Sequence, residues 1–117
     1  MNIIDQIKKI PDGEPIPKPE SEEIYTVKGV GRSRGEDALV YRIPGTSGST
    51  KRVPFSAFIW AEEQLACTGK LLHTEFSREY PKSDNDGDCN FTTLGGVFVL
   101  FDKAEYESRG VYCKKGN

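Results

Sequence analysis

Histidine and cysteine are scarce in this sequence, which limits the chemistry that the chain can perform. His73 is the single histidine among 117 residues, and Cys67, Cys89 and Cys113 lie far apart. No short pair of closely spaced cysteines is present, so a zinc site is not expected. No nucleophile signature surrounds a cysteine, and an odd, scattered set does not form a disulfide framework. The sequence therefore predicts a non-enzymatic protein with no cofactor, no metal ion and no disulfide bond.

Long apolar runs are also absent. A helix needs about 20 consecutive apolar residues to span a bilayer, and charged residues interrupt every apolar stretch here well before that length. The first residues lack the form of a signal peptide, because Asp5, Lys8 and Lys9 break up the apolar region. Apolar residues make up 36% of the chain and charged residues 29%, which is typical of one folded domain. We therefore expect a cytoplasmic protein without a membrane partner.

Two stretches resemble ligand-binding loops without having the complete pattern. Residues 29–35 read GVGRSRG, but a strand rather than a helix is expected to follow, and no Gly-Lys-Ser/Thr sequence is present, so a phosphate-binding loop is not predicted. The stretch SDNDGDC is similar to a calcium loop through Asp84, Asp86 and Asp88. Cys89 stands where the loop requires glycine, so we predict an acidic turn instead.

The first 23 residues predict an amphipathic helix on a proline-rich tether. Asn2 is a candidate N-cap, and one helical stripe carries the isoleucines Ile3, Ile4, Ile7 and Ile10. The four prolines that follow favour an extended polyproline segment. Because so short a helix is marginal alone, its stripe is expected to dock on its own domain, on a second copy of the chain or on another protein. The chain thus divides into an arm (1–10), a linker (11–23) and one α+β domain (24–117).

Residues 24–54 predict a β-hairpin followed by a polar loop. Residues 24–28 and 38–43 are rich in β-branched and aromatic side chains, which favours strands, and a glycine-rich turn is expected between them. The segment carries six basic and two acidic residues. Because Arg32 and Arg34 lie near the hairpin tip, we predict a local positive surface on a chain whose net charge is -2.

The C-terminal half predicts three helices and a strand. Helices are expected over residues 55–68, from His73 or Thr74 to Tyr80, and over about 93–104; a turn at Arg109-Gly110 leads into a strand over 111–114. The third helix is the ambiguous element, since residues 97–101 alone also fit a buried strand. Gly95 and Gly96 weaken a helix, which indicates close contact between its backbone and a neighbour.

This half resembles a winged helix-turn-helix domain. The resemblance covers residues 55–115 and is carried by AEEQLACTGKLLHTEFSREYP, then NFTTLGGVFVLFDKAEY, then RGVYCKK. It implies that the third helix enters the DNA major groove and that the basic strand forms a wing. Reading bases takes Arg, Lys, Asn or Gln at the exposed start of that helix, whereas Asn90, Thr92 and Thr93 here are candidate caps. We therefore predict no base reading. The chain also resembles small accessory proteins of bacterial mobile elements, but no particular motif carries this resemblance.

Taken together, the residues predict a non-enzymatic binding protein with an α+β fold: an arm helix, a β-hairpin, and a three-helix winged-helix-like half that ends in a strand. Its expected partner is nucleic acid, contacted non-specifically through backbone phosphates. The candidate contacts are Lys28, Arg32, Arg34, Lys51, Arg52, Arg109, Lys114 and Lys115. The alternative is a protein-interaction or self-assembly module, in which the isoleucines of the arm and the apolar third helix dock on a partner or form a homodimer.

Overall fold

A computed structural model describes residues 2–19, 23–44, 49–85 and 89–116. Within these ranges the chain forms helices, a four-stranded antiparallel sheet and a smaller three-stranded sheet, which confirms the α+β class. Parts of the predicted linker (20–22), polar loop (45–48) and acidic turn (86–88) lie outside the described residues. No helix in the described ranges combines the length and the apolar character that crossing a membrane requires.

The larger sheet comes from the N-terminal half. Its strands are β1 (Pro15–Ile16), β2 (Tyr25–Ser33), β3 (Glu36–Arg42) and β4 (Thr50–Pro54), hydrogen-bonded in that order. β2 and β3 form the predicted hairpin. β4 was not predicted, because its residues TKRVP combine polar, basic and proline side chains that locally favour a loop.

The predicted glycine-rich turn over residues 29–37 is wrong, because most of this stretch is strand. Gly29 lies at a bulge in β2 with φ of 151°, a conformation that glycine adopts readily. Gly31 leaves room for a neighbour, since a Cβ there would lie 2.7 Å from Val40 Cγ2. The turn itself contains only Arg34 and Gly35, between the paired residues Ser33 and Glu36.

The N-terminal arm folds back on its own chain. Helix α1 (Ile3–Lys8) has the predicted N-cap, in which Asn2 Oδ1 accepts a hydrogen bond from Asp5 N at 2.9 Å. Ile3 and Ile7 are buried in the common core, and Ile4 and Ile10 pack at its edge. The predicted linker contains β1, which pairs with β2. Three docking surfaces were considered for the arm, and in the structure the arm docks on the chain's own domain.

The C-terminal half contains the expected helices and three elements that were not predicted. Its elements are α2 (Phe55–Thr68), β5 (Lys70–Leu72), α3 (His73–Glu79), α4 (Pro81–Asn85), α5 (Cys89–Leu100), β6 (Ala104–Ser108) and β7 (Val111–Lys114). α2 ends at Gly69 with φ of 77°, as predicted. Its start is held by Glu36, whose carboxylate accepts hydrogen bonds from Ser56 N and Oγ at 2.9 and 3.0 Å. This contact ties the helix to the larger sheet.

The bounds predicted for the third helix are wrong at both ends. α5 begins at Cys89 instead of about 93, and it ends at Leu100 instead of about 104. The end is set by Asp102, which has φ of 61°, and by two closing hydrogen bonds, from Asp102 N to Val99 O and from Lys103 N to Phe98 O. This is the Schellman arrangement. It frees the next residues to form β6.

The smaller sheet has the order β5–β7–β6, with antiparallel neighbours. The predicted turn at Arg109 and Gly110 joins β6 to β7, and the predicted strand over residues 111–114 is confirmed. Lys70 Nζ in β5 lies 2.8 Å from Glu107 Oε1 in β6, so this exposed ion pair links the two outer strands of the sheet. The sheet closes the C-terminal half around α5.

Helix α5 lies in the centre of the molecule, and its glycines account for how closely it is packed. A Cβ at Gly95 would lie 2.2 Å from a ring carbon of Tyr112 in β7. A Cβ at Gly96 would lie 2.4 Å from the carbonyl oxygen of Pro17, just after β1. The prediction of a helix whose glycines permit close contact is therefore confirmed. α5 has a neighbour from each sheet.

Candidate nucleic-acid interface

The start of α5 is buried and cannot face a nucleic acid. The hydroxyl of Tyr41 in β3 donates to Asn90 Oδ1 at 2.6 Å, and Asn90 Nδ2 donates to Ser83 O at 2.7 Å. Asn90 and Thr93 are fully buried, and Thr92 Oγ1 donates to Cys89 O. Their predicted roles as caps are wrong, because the helix begins at Cys89 and includes all three. The apolar surface that was considered for partner docking is likewise internal.

Four of the predicted basic residues meet at one surface depression. It lies between the end of β2, the β2–β3 turn and β4, and it has a volume of about 530 Å³. Its lining residues are Arg32, Ser33, Arg34, Thr50, Lys51 and Arg52. Among the described residues, no carboxylate is part of this lining. We call it the basic depression.

Hydrogen bonds to the backbone hold two of these guanidinium groups in place. Arg52 Nη1 donates to Arg32 O at 2.6 Å and crosses the strand beside Gly31, where a Cβ would lie 3.0 Å from that nitrogen. Arg32 Nη2 donates to Gly35 O at 2.8 Å, and Arg32 Nη1 lies 2.9 Å from Asp37 Oδ1. This ion pair is exposed, so it holds the position of Arg32 at little gain in stability. Both groups are ordered before any ligand arrives.

Arg34 occupies a backbone conformation that suits arginine poorly. Its φ is 48° and that of Gly35 is 84°, and the two form the loop between paired strands. Positive φ at both central residues is the type I′ turn, for which Asn-Gly or Gly-Gly is preferred. A left-handed conformation costs most other residues about 1–2 kcal/mol. Arg34 is therefore present at the hairpin tip despite the free-energy cost of its backbone conformation.

The other predicted basic residues do not join this surface. Arg109 lies in the β6–β7 turn and Lys114 on β7, and both are exposed. Lys115 Nζ forms an ion pair with Asp102 after the end of α5. Lys28 is exposed near the bulge of β2 and does not line the basic depression. The eight residues thus do not share one face, and only half of them converge.

A polar cluster surrounds the single histidine. His73 Nε2 lies 2.6 Å from Asp84 Oδ1, Ser77 Oγ donates to Asp84 Oδ2 at 2.7 Å, and the imidazole stacks on Phe91 with ring centroids 4.7 Å apart. Burial raises the pKa of Asp84, but the hydrogen bonds from His73 and Ser77 outweigh it and leave this pKa below its usual value. Because Ser77 bonds the carboxylate and not the imidazole, the nucleophile-base contact of hydrolases is not formed. No sequence pattern pointed to this cluster.

Cysteine and carboxylate positions offer no assembled metal centre in the described ranges. There, no group of three or more His, Cys, Asp or Glu side chains is placed to hold one ion. The three cysteines are free thiols, with Cys67 exposed and the other two half-buried. Asp86 and Asp88 of the calcium-like stretch lie outside the described residues.

The described residues thus define a mixed α+β protein with a basic depression at the hairpin end of its larger sheet. Comparison with protein-family models, with curated proteins and with solved structures finds no match. The charges, shapes and contacts of this chain are therefore the guide to what it binds.

Proposed function

We propose that the chain is a small nucleic-acid-binding protein that holds backbone phosphates at the basic depression. The observation that carries this proposal is the convergence of Arg32, Arg34, Lys51 and Arg52 on one lining. The carboxylate of Asp37, which pairs with Arg32, lies outside that lining. Basic side chains contact phosphate oxygens without reading sequence. The remaining lining residues, Ser33 and Thr50, are small hydroxyl side chains that can also donate to phosphate. The site therefore suits a phosphate backbone and has no requirement for a particular base sequence.

The overall acidity of the chain is compatible with such a site. The net charge is -2, and residues 55–88 contain seven acidic and three basic residues. A local cluster can still attract an anion, because fields between exposed charges fall off over a Debye length of about 8 Å at physiological salt. The acidic half would repel a polyanion, which limits contact to the hairpin end.

The order of elements supports a winged-helix relation for the C-terminal half. α2, α3 and α5 are followed by the β6–β7 hairpin, which occupies the place of the wing. However, α5 is covered by neighbours from both sheets, so it has no open face for a major groove. In our proposal the phosphate contacts come from the other sheet.

Self-assembly has less support, since the surfaces that suggested it are used within the chain. Ile3 and Ile7 are buried against their own domain, and most of α5 is buried. Exchange of α1 between two copies stays a prediction. Light scattering of the full chain tests it, and a mass of two chains would favour exchange.

A salt-dependent titration tests the proposed function. A labelled oligonucleotide is titrated with the chain at salt concentrations from about 50 to about 200 mM, because phosphate contacts release counterions and weaken with salt. The double variant Arg34→Gln/Lys51→Gln is expected to flatten the slope of log affinity against log salt by about 1.4–1.8, the effect of two lost contacts. The matched control Arg109→Gln/Lys114→Gln removes the same charge from the smaller sheet and should leave the slope unchanged. Absent or salt-insensitive binding, or an equal effect of the control, would refute the proposal.

A further inference from the structure

The basic depression continues into a second depression of different character. Ser33 and Arg34 line both, so the two meet at the hairpin tip. The second has a volume of about 280 Å³ and lies between the tip and the α3–α4 junction, with Pro54, Tyr80 and Pro81 among its lining residues. We call it the Tyr80 pocket.

The aromatic wall of the Tyr80 pocket is held rigidly by its surroundings. Tyr80 N donates to Phe76 O at 2.7 Å, which closes α3. The Tyr80 ring packs on Phe76 and on Trp60, with centroids 5.8 Å apart in each case. Burial raises the pKa of Tyr80, so its hydroxyl stays neutral. A preformed wall costs little ordering when a ligand enters.

The charges of the two depressions select different chemical groups. The basic depression has four cations and suits a phosphate. The lining of the Tyr80 pocket contains two acidic residues, Glu36 and Glu79, and two basic residues, Arg34 and Lys82, next to aromatic and proline carbon. The carboxylate of Glu36 already accepts hydrogen bonds from Ser56. Because two basic and two acidic residues leave this lining without net charge, it attracts a second phosphate less than the basic depression does, and it favours a neutral, planar group. Its volume lies below the roughly 300–1,000 Å³ of pockets for whole drug-sized ligands, which suits a single ring system.

We infer that the Tyr80 pocket takes one unpaired nucleobase, and that the site therefore prefers single-stranded nucleic acid to duplex. This inference rests on the proposed function. A phosphate at Arg34 places the base of the same strand beside the pocket. In a duplex, that base is stacked and paired, and it must be extruded before it can enter a side pocket. A single strand has no such cost, and aromatic side chains accept any base on their surface.

Oligonucleotides with and without bases test the inference with the unaltered full chain. Single strands of about 12 nucleotides, as DNA and as RNA of the same sequence, are compared with an abasic strand of the same phosphate number and with the DNA duplex. We expect at least one base-bearing single strand to bind about 5- to 150-fold more tightly than the abasic strand, the effect of one stacked base. The ratio between DNA and RNA reports whether the 2′-hydroxyl matters. The duplex should bind less tightly than that base-bearing strand, although it carries about twice as many phosphates.

The outcomes separate the two proposals. If the abasic strand and the duplex bind as tightly as the base-bearing strands, the pocket holds no base, while phosphate binding stands. If no ligand binds, the proposed function fails as well. The variant Tyr80→Leu keeps apolar packing and removes the ring, so the affinity ratio of base-bearing to abasic strand should fall to near one. Because the ratio is taken within one variant, partial unfolding does not alter it, and an unchanged ratio would exclude Tyr80 from the contact.

Discussion

Arg34→Asn is expected to stabilise the protein and at the same time to weaken nucleic-acid binding. Arg34 has φ of 48° in a two-residue turn whose second residue is Gly35. Asparagine fits this type I′ position better than arginine does. If asparagine recovers about half of the roughly 1–2 kcal/mol cost of the left-handed conformation, the free energy of unfolding rises by about 0.5–1 kcal/mol.

Two measurements follow from this single change. For a chain of this size, such a gain raises the thermal midpoint by about 2–6 °C, and urea unfolding should give a higher midpoint with an unchanged slope. The loss of one cation should weaken binding and flatten the salt slope by about 0.7–0.9. Stability and binding thus move in opposite directions, which a general loss of structure cannot produce.

The control for Arg34→Asn is Arg34→Lys, which keeps both the charge and the unfavourable backbone conformation. It should leave the thermal midpoint and the salt slope close to those of the unaltered chain. A destabilising Arg34→Asn would refute the account of the turn. A stabilising Arg34→Asn with an unchanged salt slope would remove Arg34 from the phosphate site.

Stability measurements test three other features of the fold. Gly95→Ala forces a methyl group against Tyr112 and should cost about 1–3 kcal/mol in urea unfolding; adding Tyr112→Leu should restore part of the loss, and no restoration would contradict the contact. Ile3→Ala should lower the free energy of unfolding by about 2–5 kcal/mol, and Ile4→Ala should lower it clearly less, because Ile4 is less buried. Equal losses would argue against docking of α1 on its own domain. The pKa of Asp84 is lower in the folded chain than in the unfolded chain, where it is about 3.9. Its carboxylate therefore stabilises the fold at pH values above about 3.9, and this contribution is lost as the pH falls through the lower folded-state pKa. The thermal midpoint of the unaltered chain should therefore fall more steeply below about pH 4 than that of Asp84→Asn, and parallel curves would contradict this.

Local patterns in the sequence predicted the longer elements and missed the shorter ones. α2 and α5 were predictable because their apolar residues recur at helical spacing and because Gly69 marks the end of α2. β5 has only three residues, Lys70–Leu72, and it is a strand because it pairs with Val111–Cys113 far along the chain. Such pairing partners leave no mark in a short window of sequence.

The candidate site could be predicted in its residue types but not in its geometry. Basic composition identified Arg32, Arg34, Lys51 and Arg52, together with an equal number of basic residues that lie elsewhere. The basic residues that lie close together do so because β3 brings the end of β2 and β4 together. No pattern in the sequence indicated the Tyr80 pocket, because its walls come from a turn of one sheet and from the junction of two helices.

The contact between Gly96 and Pro17 has a consequence for the order of events during synthesis. It joins the first and last thirds of the chain, so β1 cannot find its final place until α5 has left the ribosome. Until then Ile16, which lies against Gly96 in the folded chain, lacks this cover. Contacts between such distant segments slow folding. The nascent chain therefore exposes the apolar side of β1 until α5 is made, and a stalled or truncated product that lacks α5 would be a target for chaperones and proteases.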